Sequence, residues 1–400
     1  MNDLRDKLEI IHISKLCSSE SFHALFQSSR QKPAQQAQKY YRLMVEGLAA
    51  HPNVHVTVVG SLPVTRKISS RLFISAESTV EENVAYQSVG IVNIPFFRHL
   101  AMFFGTMAHT YHIIKRNRCC VIVCDVLSIA MAAAALIPAW FTGTKTIGIV
   151  TDLPRHIHKE SRYLVEIINR VLLGHFSAFL FLTIQMNAVV NKRNRPYVVI
   201  EGQIDARMSQ RENDLHEKHS ERICMYTGRL DRICGVHMLT EAFLLANIPN
   251  AVLQFYGVGD YEDTLSILIQ KHKNIRFGGV VPNSQIVDEQ IKATLLINPR
   301  PTNYAYTQYS FPSKNMEYIA SGTPLLTTKL PGMPDDYFPH IYIFDEETIE
   351  GYAKTLREVL SLPISQLHSK GLKAKIFAMQ YKNNITQADK LLRMIRNEFF

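Results

Sequence analysis

Residues 309–324, YSFPSKNMEYIASGTP, read as a short helix built to face a ligand. Ser313 is a good N-cap, and Met316, Ile319 and Ala320 make an inward face. Gly322 sits where a left-handed C-cap belongs, and Pro324 stops the element. Helical side chains lean toward the N-terminus, so Glu317, one turn in, aims its carboxylate at the preceding loop. The helix start offers free backbone N–H groups and about half a positive charge to an anion. A phosphate-bearing ligand with hydroxyls one turn deeper fits this pattern. On helix position alone, a solvated or capping carboxylate is the simpler reading of Glu317. The surrounding residues decide between the two.

Two series of strands must carry that helix. In the first, residues 9–14 (EIIHIS) form a continuous apolar run, followed by a long Gln/Ser-rich loop. An amphipathic helix with Ala37, Tyr40, Met44 and Leu48 on one face comes next. Strands at 54–60, 121–125, 146–152, 179–183 and 197–202 follow, separated by helical stretches such as 128–136. Residues 205–220 are charged and lack periodicity, which reads as a linker. The second series has strands at 222–228, 251–257, 274–279, 294–299, 324–328 and 341–345, with helices from about 364 to 400 after it. Continuous apolar strands alternating with helices mean parallel sheets covered on both faces. The α/β chain is therefore expected to hold two doubly wound, Rossmann-like domains facing a cleft at the strands' carboxyl ends.

Composition fits that frame. Four hundred residues exceed one compact core, and 46% hydrophobic with 20% charged residues is ordinary for a folded protein. The net charge of +9 favours anionic partners without choosing among them. The basic residues are scattered and no aromatic-basic recognition motif occurs, so nucleic-acid binding is not expected. Six cysteines show no CxxC pair or zinc spacing and read as reduced core thiols. His156 and His158 have no third ligand nearby, so no metal is expected. The N-terminus lacks a signal-peptide pattern, and residues 126–141 fall short of a membrane span. A cytoplasmic protein follows by elimination. Residues 96–118 place Phe97, Leu100, Phe104, Met107, Tyr111 and Ile114 at helical spacing, with Arg98, Lys115, Arg116 and Arg118 beside them. A core helix with a basic end is favoured on periodicity over a membrane-docking helix.

The two strand series, the GRL turn at Gly228, Arg229 and Leu230, the SFPSK and EY sequences, and a strand ending in TDLP resemble the family 4 (group 1) glycosyltransferases of the GT-B fold, closest to bacterial polysaccharide-biosynthesis members. The resemblance implies an acceptor-binding domain at 1–205, a nucleotide-sugar domain at 206–383, and a terminal helix at 384–400 packing back on the first domain. It implies retaining transfer of a sugar from a nucleotide-sugar donor to a glycan or lipid-linked acceptor. The work would be done in the cytoplasm, at the inner membrane face, and a peripheral hold on anionic lipid is a further implication. No cofactor is implied, since the nucleotide-sugar is the substrate, and no Asp-x-Asp motif occurs, in keeping with a metal-independent site.

Carried over residue by residue, Glu317 matches the second glutamate of the family's E-x7-E signature, which holds ribose hydroxyls; the first falls at Tyr309. The usual GRL, three residues, Lys-Gly motif matches at Gly228, Arg229, Leu230 and Gly235, but Cys234 takes the lysine position. A thiol is mostly neutral near pH 7. Lys314 or Arg300 is placed to compensate, and Arg229 with Lys314 is the expected diphosphate clasp. Ser313 stands at the helix mouth, Gly257 in a loop bordering the donor, and Gly279 and Val280 near the base. Asp152 ends a strand where relatives have a His-Asp pair; Thr151 replaces the histidine. Ala34 and Gln35 replace a Gly-Gly turn. Taken alone, Arg229 also reads as a surface cation and Asp152 as a strand-end cap. The Tyr309 and Cys234 departures keep open a non-catalytic GT-B partner subunit that binds nucleotide or glycan. A sugar-nucleotide epimerase is the third reading.

Overall fold

The computed structural model describes residues 7–153 and 163–400. The chain divides into two compact units, Met1–Gln203 with Asn384–Phe400, and Ile204–Asn383. His156 and His158 lie outside the described residues.

The first unit is built on strands β1 (Leu8–Ile13), β2 (Val54–Gly60), β3 (Phe73–Ile74), β4 (Ser78–Glu81), β5 (Val84–Ser88), β6 (Ile91–Val92), β7 (Cys120–Asp125), β8 (Lys145–Val150), β9 (Ala178–Phe181) and β10 (Tyr197–Val199). Eight of them form one sheet in the order β10-β9-β8-β7-β1-β2-β5-β4. β1 and β7 are buried at every position, as their unbroken apolar runs require. The helices are α1 (Ser19–Ser28), α2 (Gln36–Ala49), α3 (Pro95–Arg116), α4 (Ile129–Thr142), α5 (Tyr163–Leu173) and α6 (Gln185–Val190). Met44 and Leu48 of α2 and Leu391, Leu392 and Ile395 of the terminal helix (Asn384–Phe399) pack on Ile10, Val56 and Val123. α3 and α4 pack along each other and on β1, and α4 meets α5.

Three features depart from the sequence reading. α1 occupies part of the expected Gln/Ser-rich loop, its first turn capped by the Ser18 hydroxyl. β4 and β5 are an antiparallel hairpin turned by Glu82 and Asn83, both at positive φ, which is the signature of a tight two-residue loop. The buried face of α2 is shifted by about one residue: Ala37 is exposed, and Gln38 is buried because its amide bonds the Cys17 N–H and the Lys15 carbonyl. All six cysteines are free thiols.

The second unit continues with β11 (Arg222–Thr227), α7 (Val236–Ala246), β12 (Ala251–Tyr256), α8 (Glu262–Lys271), β13 (Ile275–Phe277), α9 (Asn283–Lys292) and β14 (Leu295–Asn298). It is completed by α10 (Ser313–Ser321), β15 (Leu325–Thr327), β16 (Tyr342–Ile343), α11 (Ile349–Ser361) and α12 (Ile364–Tyr381). Its six strands are parallel throughout, in the order β13-β12-β11-β14-β15-β16. The order reverses direction between β11 and β14, which marks their carboxyl ends as the switch point where such sheets bind ligands. The expected linker is part of this unit. It forms two short turns capped by Asp205 and Asp214, and Lys218 donates to the Ile291 and Ala293 carbonyls at 2.6 and 2.9 Å. Burial pushes the Lys218 pKa down to about 7.

α10 is locked to the end of β11 by Tyr318, which is fully buried. Its hydroxyl accepts from the Thr227 N–H at 2.7 Å and donates to the Thr227 carbonyl at 3.3 Å. Replacing it orphans a buried amide, so Tyr318→Phe is expected to lower the unfolding free energy by about 1–3 kcal/mol, read from urea midpoints. An unchanged midpoint would show that the hydroxyl does not hold the helix to the strand.

Candidate functional site

The switch point of the second unit gathers most of the residues singled out in the sequence. β11 ends at Thr227 and turns through Gly228 at φ 124°; β12 turns through Gly257 at φ 136°. A Cβ at Gly257 would run into the Gly228 carbonyl, and one at Gly228 would meet the Lys314 amine at 3.0 Å. Gly257 therefore needs glycine for space as well as for φ, and Gly228 needs it for φ. The Gly257 N–H donates to the Gly279 carbonyl at 2.8 Å, which draws the loop after β13 alongside. Val280, next in that loop, is exposed.

Lys314 is the centre of the group. Its amine donates to the Tyr226 hydroxyl at 2.7 Å and lies 3.9 Å from the centre of that ring. The same hydroxyl donates to the Arg229 carbonyl at 2.6 Å, so strand end, turn and helix mouth are joined in one chain of contacts. The Lys314 pKa is pushed down to about 8, chiefly by desolvation, with Cys234 and Glu317 opposing the fall and the Arg300 charge contributing to it. Lys314 makes no ion pair among the described residues. Arg300, following β14, donates to Ser310 Oγ at 3.0 Å and lies over the Tyr306 ring at 4.9 Å. Cys234 also acts on the Lys314 amine, so position 234 and this lysine of α10 share one neighbourhood.

Other expected residues sit differently. Ser313 is the first helical residue and exposed, while Pro312 is the N-cap and no side chain caps the helix. The ring of Pro312 holds its φ at -73°, and with ψ at 112° the chain enters the helix from an extended residue, not from a cap at Ser313. Gly322 closes α10 in the left-handed region at φ 77°. Arg229 is largely exposed and pairs with Asp231. Glu317 is half-buried on α10, and Tyr309 ends a 3-10 turn, also half-buried. Sequence reasoning misses Tyr226 and Asp231 as site residues. Both lie next to the GRL turn; Tyr226 packs with Cys224 on the β11 face opposite to that of Met225, Met316 and Ile319, and meets Lys314 only at the strand's end.

In the first unit, Asp152 is exposed just past β8. Asp125, at the end of β7 beside that sheet's own switch point, is a buried carboxylate that the sequence does not single out. Burial raises its pKa, against hydrogen bonds from Ser128 Oγ at 2.7 Å and the Leu127 N–H at 3.0 Å, the Tyr41 hydroxyl, and the Lys15 charge. Among the described residues no three His, Cys, Asp or Glu side chains are grouped to hold a metal ion.

Residues 209–375 match the family model "Glycosyl transferases group 1". No curated protein matches the chain. Among solved structures, Anabaena HepE in complex with UDP is similar at 11% identity, covering 97% of this chain and 100% of that one, with a TM-score of 0.60. Sucrose-phosphate synthase from Thermosynechococcus elongatus is similar at 14% identity, over 98% and 99% of the two chains, with a TM-score of 0.66. A UDP-forming trehalose-phosphate synthase from Burkholderia xenovorans, in complex with glucose-6-phosphate, is similar at 13% identity, over 97% and 99%, with a TM-score of 0.62. The chain has the GT-B fold, and its second unit carries the group 1 glycosyl transferase match.

Proposed function

We propose that the chain is a retaining, metal-independent glycosyltransferase. It moves a sugar from a nucleotide-sugar donor on the second unit to a glycan or lipid-linked acceptor in surface polysaccharide or glycolipid assembly. The observation that carries this reading is Lys314, a largely desolvated cation with no ion pair among the described residues, set beside Gly228 and Arg300 at the switch point. A diphosphate is the ligand such a group lacks. In glycosyl transfer the bond from the sugar C1 to the diphosphate breaks through an oxocarbenium-like state, and charge builds on the departing diphosphate. Lys314, Arg300, Arg229 and the N-terminus of α10 are the fixed positive groups that would stabilise it. Glu317 would hold the ribose hydroxyls, Gly257, Gly279 and Val280 would border the base, and Tyr309 and Ser313 would line the sugar side. Asp152 remains the candidate base for the acceptor hydroxyl, on the first unit, at the inner face of the cytoplasmic membrane.

UDP is the first ligand to try, because it is the nucleotide in one of the similar structures. Titrated calorimetrically, UDP is expected to bind, and its affinity should fall as pH rises through about 8, where free Lys314 loses its proton. A bound dianion raises that pKa, so each pH unit above the free value costs up to about tenfold. Lys314→Met should bind at least about tenfold more weakly at pH 7 with a flat profile, and Lys314→Arg should restore binding without the fall. An unchanged profile in Lys314→Met would remove the lysine from the site.

Glu317→Ala is expected to weaken nucleotide-sugar binding by roughly 10- to 100-fold and to abolish donor hydrolysis or transfer by the purified chain. Donor turnover at the wild-type rate in that variant would overturn the assignment of Glu317. Binding of a nucleotide-sugar with no turnover against any lipid acceptor would replace the enzyme with the partner subunit.

A further inference from the structure

A cavity of about 590 Å³ lies in the first unit, lined by α5, by Phe179 of β9, and by the end of α6 with the loop that follows it. Its walls are apolar at Leu173, Phe179, Val189 and Val190. Its rim is basic: Arg170, Lys192, Arg193 and Arg195 stand against Glu166, the one carboxylate among the described lining residues. The loop carrying three of these cations is held in one shape. Asn191 is buried; its side chain accepts from the Arg195 N–H at 2.8 Å and donates to the Arg195 carbonyl at 2.7 Å. Asn194 makes the left-handed turn between them at φ 49°. Arg193 donates to the Gly174 carbonyl at 2.7 Å, which ties the loop to the end of α5, and the Lys192 amine donates to the Ala188 carbonyl at 2.8 Å. Those two cations hold the wall. The Arg170 and Arg195 guanidiniums are exposed and form no ion pair among the described residues.

The position of these cations separates them from the crevice already described. β8, β9 and β10 are parallel neighbours in the sheet. Gly174 leads into β9 and Arg195 into β10, so the basic rim gathers at the amino ends of the strands. Asp125 and Asp152 stand at the carboxyl ends, where doubly wound sheets bind their ligands. From the rim the cavity runs under α5 as far as Leu153, past the end of β8. Its volume is in the range of sites that take a drug-sized molecule. A guanidinium presents a planar fork that matches phosphate oxygens, and two such forks stand here without a counter-charge. An inorganic anion would satisfy them and leave the apolar wall wet. A neutral apolar molecule would cover the wall and leave the forks unmatched. A ligand with both parts answers both.

We propose that this cavity is a second binding site, for a small organic phosphate with an apolar body. Arg170 and Arg195 hold the phosphate, and the body lies on Leu173, Phe179 and Val190. This goes beyond glycosyl transfer and is tested without a donor, so the two readings fail separately. Naphthyl phosphate is the probe, titrated calorimetrically. It should bind, and naphthol and inorganic phosphate should each bind at least about tenfold more weakly. The double substitution Arg170→Gln, Arg195→Gln removes exposed charges only. It should keep the urea midpoint and the affinity for UDP, and lose at least about tenfold in affinity for the probe. Val189→Trp fills the cavity from its apolar side and should weaken the probe by a similar factor. Lys314→Met should bind the probe as the wild type does. No binding of naphthyl phosphate would overturn the proposal, and so would inorganic phosphate binding as tightly as the probe. Wild-type affinity in the double variant would overturn it too, as would displacement of the probe by UDP, which would put the probe in the donor crevice.

Discussion

The switch point of the second unit is organised around a half-buried cation, Lys314. Moving the Lys314 pKa from 10.5 to about 8 corresponds to roughly 3 kcal/mol of net cost for the charged form, with desolvation its largest cause. The sign is that of a depressed base: the cost is present in full below about pH 8 and is relieved as pH rises toward the unfolded value, so this group adds stability as pH rises through that window. A protein keeps such a charge only if its surroundings over-determine it. Here the Tyr226 hydroxyl and ring, the bare backbone at Gly228, and the Tyr318 lock on Thr227 leave the amine one position. An anion entering the site would recover the lost solvation, so part of its affinity would come from a cost the fold has already met.

The same packing makes positions 234 and 314 constrain each other. A lysine at 234 would bring a second ammonium to the amine of Lys314, already opposed by Arg300. Two cations in one desolvated space repel, so a small neutral side chain at 234 is what a lysine at 314 allows.

Much of this is legible in the sequence, and what is not has physical causes. Strands such as β7 and β14 are readable because each is a continuous apolar run closed by a polar residue, Asp125 or Asn298. α10 is readable from its inward face and from its stop at Gly322, whose left-handed φ only glycine takes cheaply. The start of the same helix misleads, because Pro312 sets the entry by backbone geometry, without a side-chain bond that Ser313 would supply. The hairpin at Glu82 and Asn83 escapes because those residues are not the usual Asn-Gly pair. Tyr226 and Asp125 escape for another reason: their importance comes from neighbours distant in the chain, Lys314 and Tyr41, and local pattern does not show such meetings.

The chain leaves its first unit at Gln203 and returns to it only at Asn384. Between those points lie the 180 residues of Ile204–Asn383. A ribosome adding about 5–20 residues per second takes roughly 10–40 seconds to make them. Through that interval Ile10, Val56 and Val123 lack the cover of Leu391, Leu392 and Ile395. The first half to be born is therefore the last to be finished, and a nascent polypeptide stalled anywhere in the second half leaves an apolar sheet face open to chaperones and to aggregation.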